Sequence, residues 1–139
     1  RNIGGAKVRV MMGSAYGLTS PVKTFSPNIY IEADLKAGQN LELPTAEERG
    51  IYVVDGELDI HGETSPLFAM SVLTDAATTV TAKSDTRFAM IGGAPLGKRY
   101  LDWNFVSSRQ ARIEQAKDDW REGRFPTVPG DEAEFIPLP

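Results

Sequence analysis

The chain has 139 residues, with 19 Asp and Glu against 15 Lys and Arg, one histidine, no cysteine and a formal net charge of −4. The lack of cysteine excludes disulfides, zinc–thiolate sites and thiol nucleophiles, and fits a cytoplasmic protein. The basic residues are scattered, which argues against direct nucleic-acid binding, and the apolar runs are too short to span a membrane.

The first hundred residues show the pattern of an all-β protein. Residues 1–6 contain two glycines, and the first residue is Arg1, not Met. We interpret these residues as a linker from a preceding N-terminal domain. Residues 7–106 then contain short runs that alternate apolar and polar side chains, separated by Gly, Pro, Asn and Asp. This pattern predicts an antiparallel sandwich or barrel, and we favour a jelly roll.

The strongest local turn signal is Asp55-Gly56, which lies between two runs of β-forming residues. The pair can supply the positive φ angles of a type I′ turn, so the sequence predicts a hairpin over residues 50–60. Further strands are predicted over residues 66–73, 78–82 and 86–93. Turns are predicted between these strands, at Asp75-Ala76 and Ser84-Asp85.

The last forty residues depart from this rhythm. Ser107 followed by Gln110 is a capping-box pattern and predicts a helix within residues 107–123, from about 108 to 122. Apolar side chains at helical spacing and Gly123 at the end support that helix. The apolar side chains are Ile113, Ala116 and Trp120. Residues 124–139 form a Pro-rich C-terminal tail.

The strand before the helix is rich in aromatic residues. Simple alternation over residues 99–106 places Tyr100, Asp102 and Asn104 on one face. It places Leu101, Trp103 and Phe105 on the other. This second face either joins the core or forms a platform against another domain.

No short motif predicts catalysis or a metal site. The sequence Gly13–Gly17 is not a nucleophile turn, and the glycines of residues 91–97 lack the Gly-Lys-Ser/Thr of a phosphate loop. His61 and Glu63 belong to a predicted hairpin tip and are too few to hold a transition metal. Glu47, Glu48 and Arg49 are expected to form a solvated edge with local ion pairs, or else to line a pocket.

A metal-free pocket inside the barrel is a further possibility, because small barrels can enclose ligands between inward side chains. Its predicted lining consists of Tyr30, Glu48, Tyr52, Met70, Phe88 and Met90.

Three long segments resemble the pirin family. They are SPVKTFSPNIYIEADLKAG (residues 20–38), ERGIYVVDGELDIHG (48–62) and the stretch from residue 92 to the end, in which WNFVSS and IEQAKDDWREGRF are the most specific motifs. The resemblance implies a cupin jelly roll. Pirins consist of two cupins, the N-terminal one holding Fe(II) through His-x-His and a later His-x-Glu, and they are associated with quercetin 2,3-dioxygenase activity or with transcriptional and redox regulation.

By this resemblance the chain corresponds to the C-terminal cupin, which normally lacks the metal. The region that would hold His-x-His contains Glu42, Glu47 and Glu48 without an imidazole, and the later ligand region near residues 78–82 contains none either. We therefore expect no catalytic residue, no metal ligand and no cofactor in this chain, and an enzymatic role only through an iron-bearing N-terminal cupin.

The resemblance leaves two functions open. The chain is either the structural half of a dioxygenase-like protein or a protein-interaction module of a regulator. In both, five aromatic side chains and one isoleucine of the C-terminal stretch are expected to pack against the N-terminal cupin. These are Trp103, Phe105, Trp120, Phe125, Phe135 and Ile136. Without that domain, the apolar patch predicts self-association.

Overall fold

The structure is a computed structural model that describes residues 1–139, and it contains fourteen strands and one helix. The strands are β1 (Asn2–Ile3), β2 (Ala6–Met12), β3 (Ser14–Ala15), β4 (Leu18–Thr19), β5 (Asn28–Leu35), β6 (Asn40–Glu42), β7 (Glu48–Asp55), β8 (Leu58–Ile60), β9 (Glu63–Thr64), β10 (Met70–Val72), β11 (Thr79–Ala82), β12 (Thr86–Gly93), β13 (Tyr100–Asp102) and β14 (Phe105–Ser107). The helix α1 spans Gln110–Arg121. No helix has the length and apolar character needed to cross a membrane.

The chain divides into two compact units, Arg1–Pro95 and Leu96–Pro139, which we call the sandwich unit and the C-terminal unit. The boundary differs from the predicted one near residue 106, because the hairpin of β13 and β14 belongs with the helix.

The sandwich unit contains two main antiparallel sheets. The larger has six strands in the order β1-β2-β5-β12-β7-β10, and the smaller has four in the order β6-β11-β8-β9. The all-β prediction is therefore confirmed. Hydrogen bonds do not join the two sheets into a closed barrel, so the architecture is a two-sheet sandwich.

Both sheets contribute side chains to one hydrophobic core. In β5 the residues alternate between buried and half-buried along all eight positions, as predicted for a strand with one face on the core. Neighbouring strands of the large sheet add Phe88 and Met90 from β12, and Ile51 and Val53 from β7. The small sheet contributes Leu41, Leu58, Val80 and Ala82.

The predicted hairpin around Asp55-Gly56 is wrong in its pairing. Gly56 does have a positive φ of 82°. However, β7 pairs with β12 and β10, whereas β8 pairs with β11 and β9. The turn is therefore a corner that takes the chain from the large sheet to the small one.

Two further segments contain strands with other bounds than the sequence indicated. Residues 1–6, interpreted above as a linker, contain β1, since Asn2 pairs with Lys7 and Ile3 with Ala6 across a turn at Gly4 and Gly5. Both glycines have positive φ, which is the backbone that a tight two-residue hairpin requires. The strand predicted over residues 66–73 is limited to Met70–Val72.

The C-terminal unit begins with a hairpin where the sequence predicted one continuous strand. Trp103 has a φ of 50° and forms the turn with Asn104, so β13 and β14 run antiparallel. Leu101 pairs with Val106, and both side chains are exposed. The predicted common face of Leu101, Trp103 and Phe105 is therefore wrong, because the chain reverses direction between these residues.

The helix agrees with its prediction at the end and differs at the start. Gly123 has a φ of 66° and its N–H donates to the carbonyl of Trp120, while Arg124 N–H donates to that of Asp119. This is the Schellman arrangement expected of a C-terminal glycine. At the start, the N-cap is Arg109, and Ser107 forms no capping box, because its Oγ accepts from the N–H of Arg109 instead.

Candidate functional site

The interior of the sandwich does not offer the ligands of a transition metal. The inward positions of β6, β8 and β11 are occupied by leucine, valine and alanine side chains. Arg49 is the charged residue buried in this unit, and a fixed cation disfavours binding of a second one. The residues present do not fit an iron centre, which requires several nitrogen or oxygen ligands.

The lone histidine lies at a turn between β8 and β9. His61 and Gly62 have φ angles of 53° and 89°, as in a type I′ turn, and the Gly62 N–H donates to Asp59 Oδ1 at 3.0 Å. His61 and Glu63 are both exposed. The predicted hairpin tip is thus confirmed.

The six residues predicted to line a pocket are divided between two faces of the large sheet. Phe88 and Met90 point into the core and are fully buried. Tyr30, Tyr52 and Met70 occupy the alternate positions of their strands, and Met70 pairs with Tyr52 on the outer face. Glu48 is also exposed. Strand alternation therefore prevents these side chains from lining one common cavity.

One cavity of the sandwich unit has a volume of about 620 Å³ and a charged lining. Lys36 Nζ lies 2.6 Å from Asp85 Oδ2, and Arg87 Nε lies 2.5 Å from Asp34 Oδ1. Hydrogen bonds from these cations lower the pKa of Asp34 and of Asp85. Both carboxylates are stabilised as anions, which makes them weak general bases. We therefore assign a structural role to these two ion pairs.

A second cavity, of about 360 Å³, lies beside the β8–β9 turn. Its lining includes the buried Ser65, whose Oγ lies 2.8 Å from Ser71 Oγ, together with Thr74 and the exposed His61. The recorded side-chain partner of each hydroxyl is the other hydroxyl and not a general base, so neither is activated as a nucleophile.

Arg49 is the residue whose environment sequence reasoning missed. It was expected on a solvated edge with local ion pairs, but only 8% of its surface is exposed and it takes part in none of the ion pairs of the sandwich unit. The signal was available, since Arg49 precedes Ile51 and Val53 at a spacing of two and therefore shares their inward face.

The C-terminal unit contains an aromatic cluster formed by Trp103, Phe105, Trp120, Phe125 and Phe135. Trp120 is its centre, with ring centroids 5.1 Å from Trp103 and 5.6 Å from both Phe125 and Phe135. The Trp120 Nε1–H donates to the Ile136 carbonyl at 2.8 Å, which holds the tail on the helix. The residues predicted to pack against another domain are thus brought together with one another.

The cluster leaves considerable apolar surface exposed. Phe135 and Ile136 are each 59% exposed, and Leu101, Val106 and Val128 are more than half exposed as well. About one turn before Trp120 and on the same side of the helix, Lys117 Nζ lies 2.9 Å from Asp102 Oδ2, which links α1 to β13 and raises the pKa of Lys117. The unit is therefore internally fixed but keeps an apolar rim suited to contact with another protein.

Comparison with known proteins assigns both the fold and the family. Residues 30–126 match the model of the pirin C-terminal cupin domain. A pirin-like protein of Caulobacter vibrioides is 39% identical over 138 residues, which cover 98% of this chain and 48% of that protein. A Pseudomonas aeruginosa protein, provisionally named as a quercetin 2,3-dioxygenase, is 28% identical over 124 residues, covering 86% of this chain and 43% of its own length.

A solved structure of a quercetin 2,3-dioxygenase from Acinetobacter baumannii superposes on 99% of this chain and 48% of that one, with a TM-score of 0.83 and 24% identity. The two-sheet sandwich is thus a cupin fold. With the family match over residues 30–126, the chain belongs to the pirin family, as its C-terminal cupin domain. It spans about half the length of the curated relatives it matches.

Proposed function

We propose that this chain is the metal-free, structural C-terminal cupin of a pirin-like protein whose N-terminal cupin carries an Fe(II)-dependent activity of the quercetin 2,3-dioxygenase type. The observation that carries the proposal is the interior of the sandwich, where apolar side chains and a buried arginine take the place of metal ligands. The provisional name of the Pseudomonas relative supports the reaction type.

In this proposal the chain contributes to the activity by packing, not by chemistry. The aromatic cluster and its exposed rim supply the surface that contacts the N-terminal cupin, because exposed apolar side chains, among them Phe135 and Ile136, are grouped in this one small unit. The C-terminal unit would then stabilise the neighbouring domain and exclude water from one side of it.

The test is to isolate the native gene product and determine its mass, its iron content and its turnover of quercetin by oxygen consumption. We expect a product about twice the length of this chain, holding roughly one iron per polypeptide and active on quercetin. The 139-residue chain, prepared in parallel with added Fe(II), should hold no tightly bound iron and show no turnover.

Either quercetin turnover or stoichiometric iron in the 139-residue chain would contradict the proposal. A matched control is His61→Ala, which removes the one imidazole from an exposed turn. The variant should leave iron content and turnover of the native gene product unchanged, since His61 holds no metal in this proposal.

A second function, a protein-interaction module of a transcriptional or redox regulator, is favoured by the same exposed rim. The net charge of −4 suits a basic protein partner. This function requires a partner that remains bound at a fixed stoichiometry to the native gene product and is lost in the double variant Leu101→Ser and Val106→Ser. Retention of the partner by that variant would place the contact elsewhere and argue against this function.

A further inference from the structure

We propose that Arg49 forms a binding site for a carboxylate group at the inner face of β7. The residue lies in the same inward row as Ile51 and Val53, yet it carries a full positive charge. Burial of a charge is unfavourable unless a counter-charge or hydrogen bonds compensate for it. The site goes beyond the structural role proposed above and does not depend on it.

The hydrogen bonds of Arg49 account for only a small part of its donors. The guanidinium has five N–H groups, and one hydrogen bond is formed, from Nη2 to the carbonyl oxygen of Thr74 at 3.0 Å. None of the four ion pairs within the sandwich unit includes Arg49. Most of the donors therefore have no acceptor in this unit.

The unpaired nitrogens remain open to an incoming ligand. Among buried side-chain nitrogen and oxygen atoms, the one without a partner is Asn28 Oδ1, so no nitrogen of Arg49 is both sealed from solvent and unbonded. The guanidinium is thus largely desolvated but not enclosed. A low-dielectric position with free donors strengthens an ionic hydrogen bond relative to one in water.

The surrounding backbone fixes the arginine in this position. Gly92 on β12 pairs with Arg49, and a Cβ at Gly92 would lie 3.2 Å from Arg49 Cγ and 2.8 Å from the Glu48 carbonyl oxygen. The missing side chain therefore makes room for the arginine stem. On the other side, the Leu73 N–H donates to the Arg49 carbonyl at 2.9 Å, which places Thr74 beside the guanidinium.

The chemistry of the site favours a single carboxylate. The guanidinium fork matches the two oxygens of a carboxylate, and one negative charge neutralises one arginine. A phosphate dianion would leave excess negative charge in a partly buried position. The carboxylate belongs either to a small molecule or to a polypeptide side chain.

The test is a titration of the full 139-residue chain with sodium acetate and sodium benzoate, followed by NMR of the arginine Nε–Hε groups at constant ionic strength. We expect a saturable shift of the Arg49 resonance with a dissociation constant on the order of 1–10 mM, and no saturable shift with chloride. Arg49→Gln lacks this resonance and is followed through the backbone amides of Leu73 and Thr74, which adjoin residue 49; it should weaken binding at least tenfold. Arg87→Gln is the matched control, since Arg87 is an exposed, paired arginine on the neighbouring strand.

The titration has two outcomes that overturn the proposal: an Arg49 resonance that does not respond to either carboxylate, or equal binding by Arg49→Gln. The first is measured on the unaltered chain, so it holds even if the variant fails to fold. Parallel titrations with N-acetylglutamate amide and N-acetylglutamine amide distinguish the sources. Binding of the glutamate compound as strongly as acetate indicates a polypeptide side chain, whereas binding of acetate and benzoate alone indicates a small molecule.

A stability measurement separates a binding role from a structural one. Arg49→Met keeps the apolar stem and removes the buried charge, so the melting temperature without added carboxylate should stay the same or rise. Addition of acetate should then raise the melting temperature of the unaltered chain but not that of the variant. A lower melting temperature of Arg49→Met without acetate would assign the arginine a structural role instead.

Discussion

Trp120 is the side chain on which packing of the C-terminal unit depends most. It contacts four other aromatic rings, and its Nε1–H holds the tail through the Ile136 carbonyl. Aromatic pairs at these distances add stability beyond the area they bury. One residue therefore joins the helix, the hairpin and the tail.

We predict that Trp120→Ala destabilises the C-terminal unit by about 3 kcal/mol, the lower end for removal of a large aromatic side chain, because the ring is partly exposed. The measurement is urea denaturation followed by the fluorescence of Trp103, which lies in the same cluster. Leu101→Ala is the control and should change stability by less than about 0.5 kcal/mol, since Leu101 is 72% exposed. Equal effects of the two substitutions would contradict the central role of Trp120.

Asp34 makes the stability of the sandwich unit vary with pH in the acid range. The hydrogen bond from Arg87 lowers the pKa of its carboxyl below the value of about 3.9 in an unfolded chain. A lowered pKa contributes stability above the unfolded pKa, and that contribution is lost as pH falls through the folded pKa.

We therefore predict that Asp34→Asn lowers the melting temperature at pH 6 but not at the acid end of the range, below the folded pKa. Melting curves recorded by circular dichroism between pH 2 and pH 6 would show the two proteins converging as pH falls. Glu132→Gln, in the exposed tail, should run parallel to the unaltered chain. A constant gap between Asp34→Asn and the unaltered chain at every pH would contradict the linkage.

At the scale of elements, the corner at Gly56 determines how the two sheets are connected. A Cβ at Gly56 would lie 2.2 Å from the Asp85 carbonyl oxygen and 2.5 Å from Thr86 Oγ1. The Glu57 N–H donates to the same Thr86 hydroxyl at 3.0 Å. The turn at Gly56 therefore lies directly against the backbone of residues 85–86, and only glycine fits at position 56.

We predict that Gly56→Ala destabilises the sandwich unit by about 2–4 kcal/mol, since it adds a clash with backbone to the strain of a positive φ. Gly38→Ala is the matched control, with a φ of 81° and open space around the new methyl group. Gly38→Ala should lower the free energy of unfolding by only about 1 kcal/mol, because only the strain of the positive φ contributes. Chemical denaturation of both variants measures the difference, and equal losses would show that the close approach costs nothing.

At the scale of the whole molecule, we predict that the 139-residue chain associates with itself through the exposed apolar residues of the C-terminal unit. Burial of a side chain such as Phe135 gains about 1.5–3 kcal/mol, or roughly tenfold or more in a dissociation constant. The double variant Phe135→Ser and Ile136→Ser should therefore dimerise at least tenfold more weakly in sedimentation equilibrium.

The control for this experiment is Val22→Ser, an exposed apolar residue of the sandwich unit. It should sediment like the unaltered chain. A monomeric unaltered chain at millimolar concentration, or equal weakening by Val22→Ser, would contradict association through the tail. Because Trp120 donates its hydrogen bond to the backbone carbonyl of Ile136, the double variant Phe135→Ser and Ile136→Ser keeps that anchor of the tail.

The sequence by itself determined the local elements of this protein and its family. The strand predicted over residues 86–93 coincides with β12, and the hairpin tip at His61-Gly62 and the helix end at Gly123 were also predicted from local residues. The family motifs cover most of the chain and identified it as the C-terminal cupin of a pirin. These features depend on contacts close in sequence, which a pattern records directly.

Only the tertiary structure decided which strands pair and what each buried side chain meets. The Asp55-Gly56 signal is compatible with a hairpin, but β7 pairs with β12 because that pairing places Phe88, Ile51 and Val53 in one core. Arg49 is likewise an ordinary strand residue in the sequence, and its lack of a counter-charge appears only when distant segments surround it. Pairing and desolvation are set by residues far apart in the chain, so no local pattern contains them.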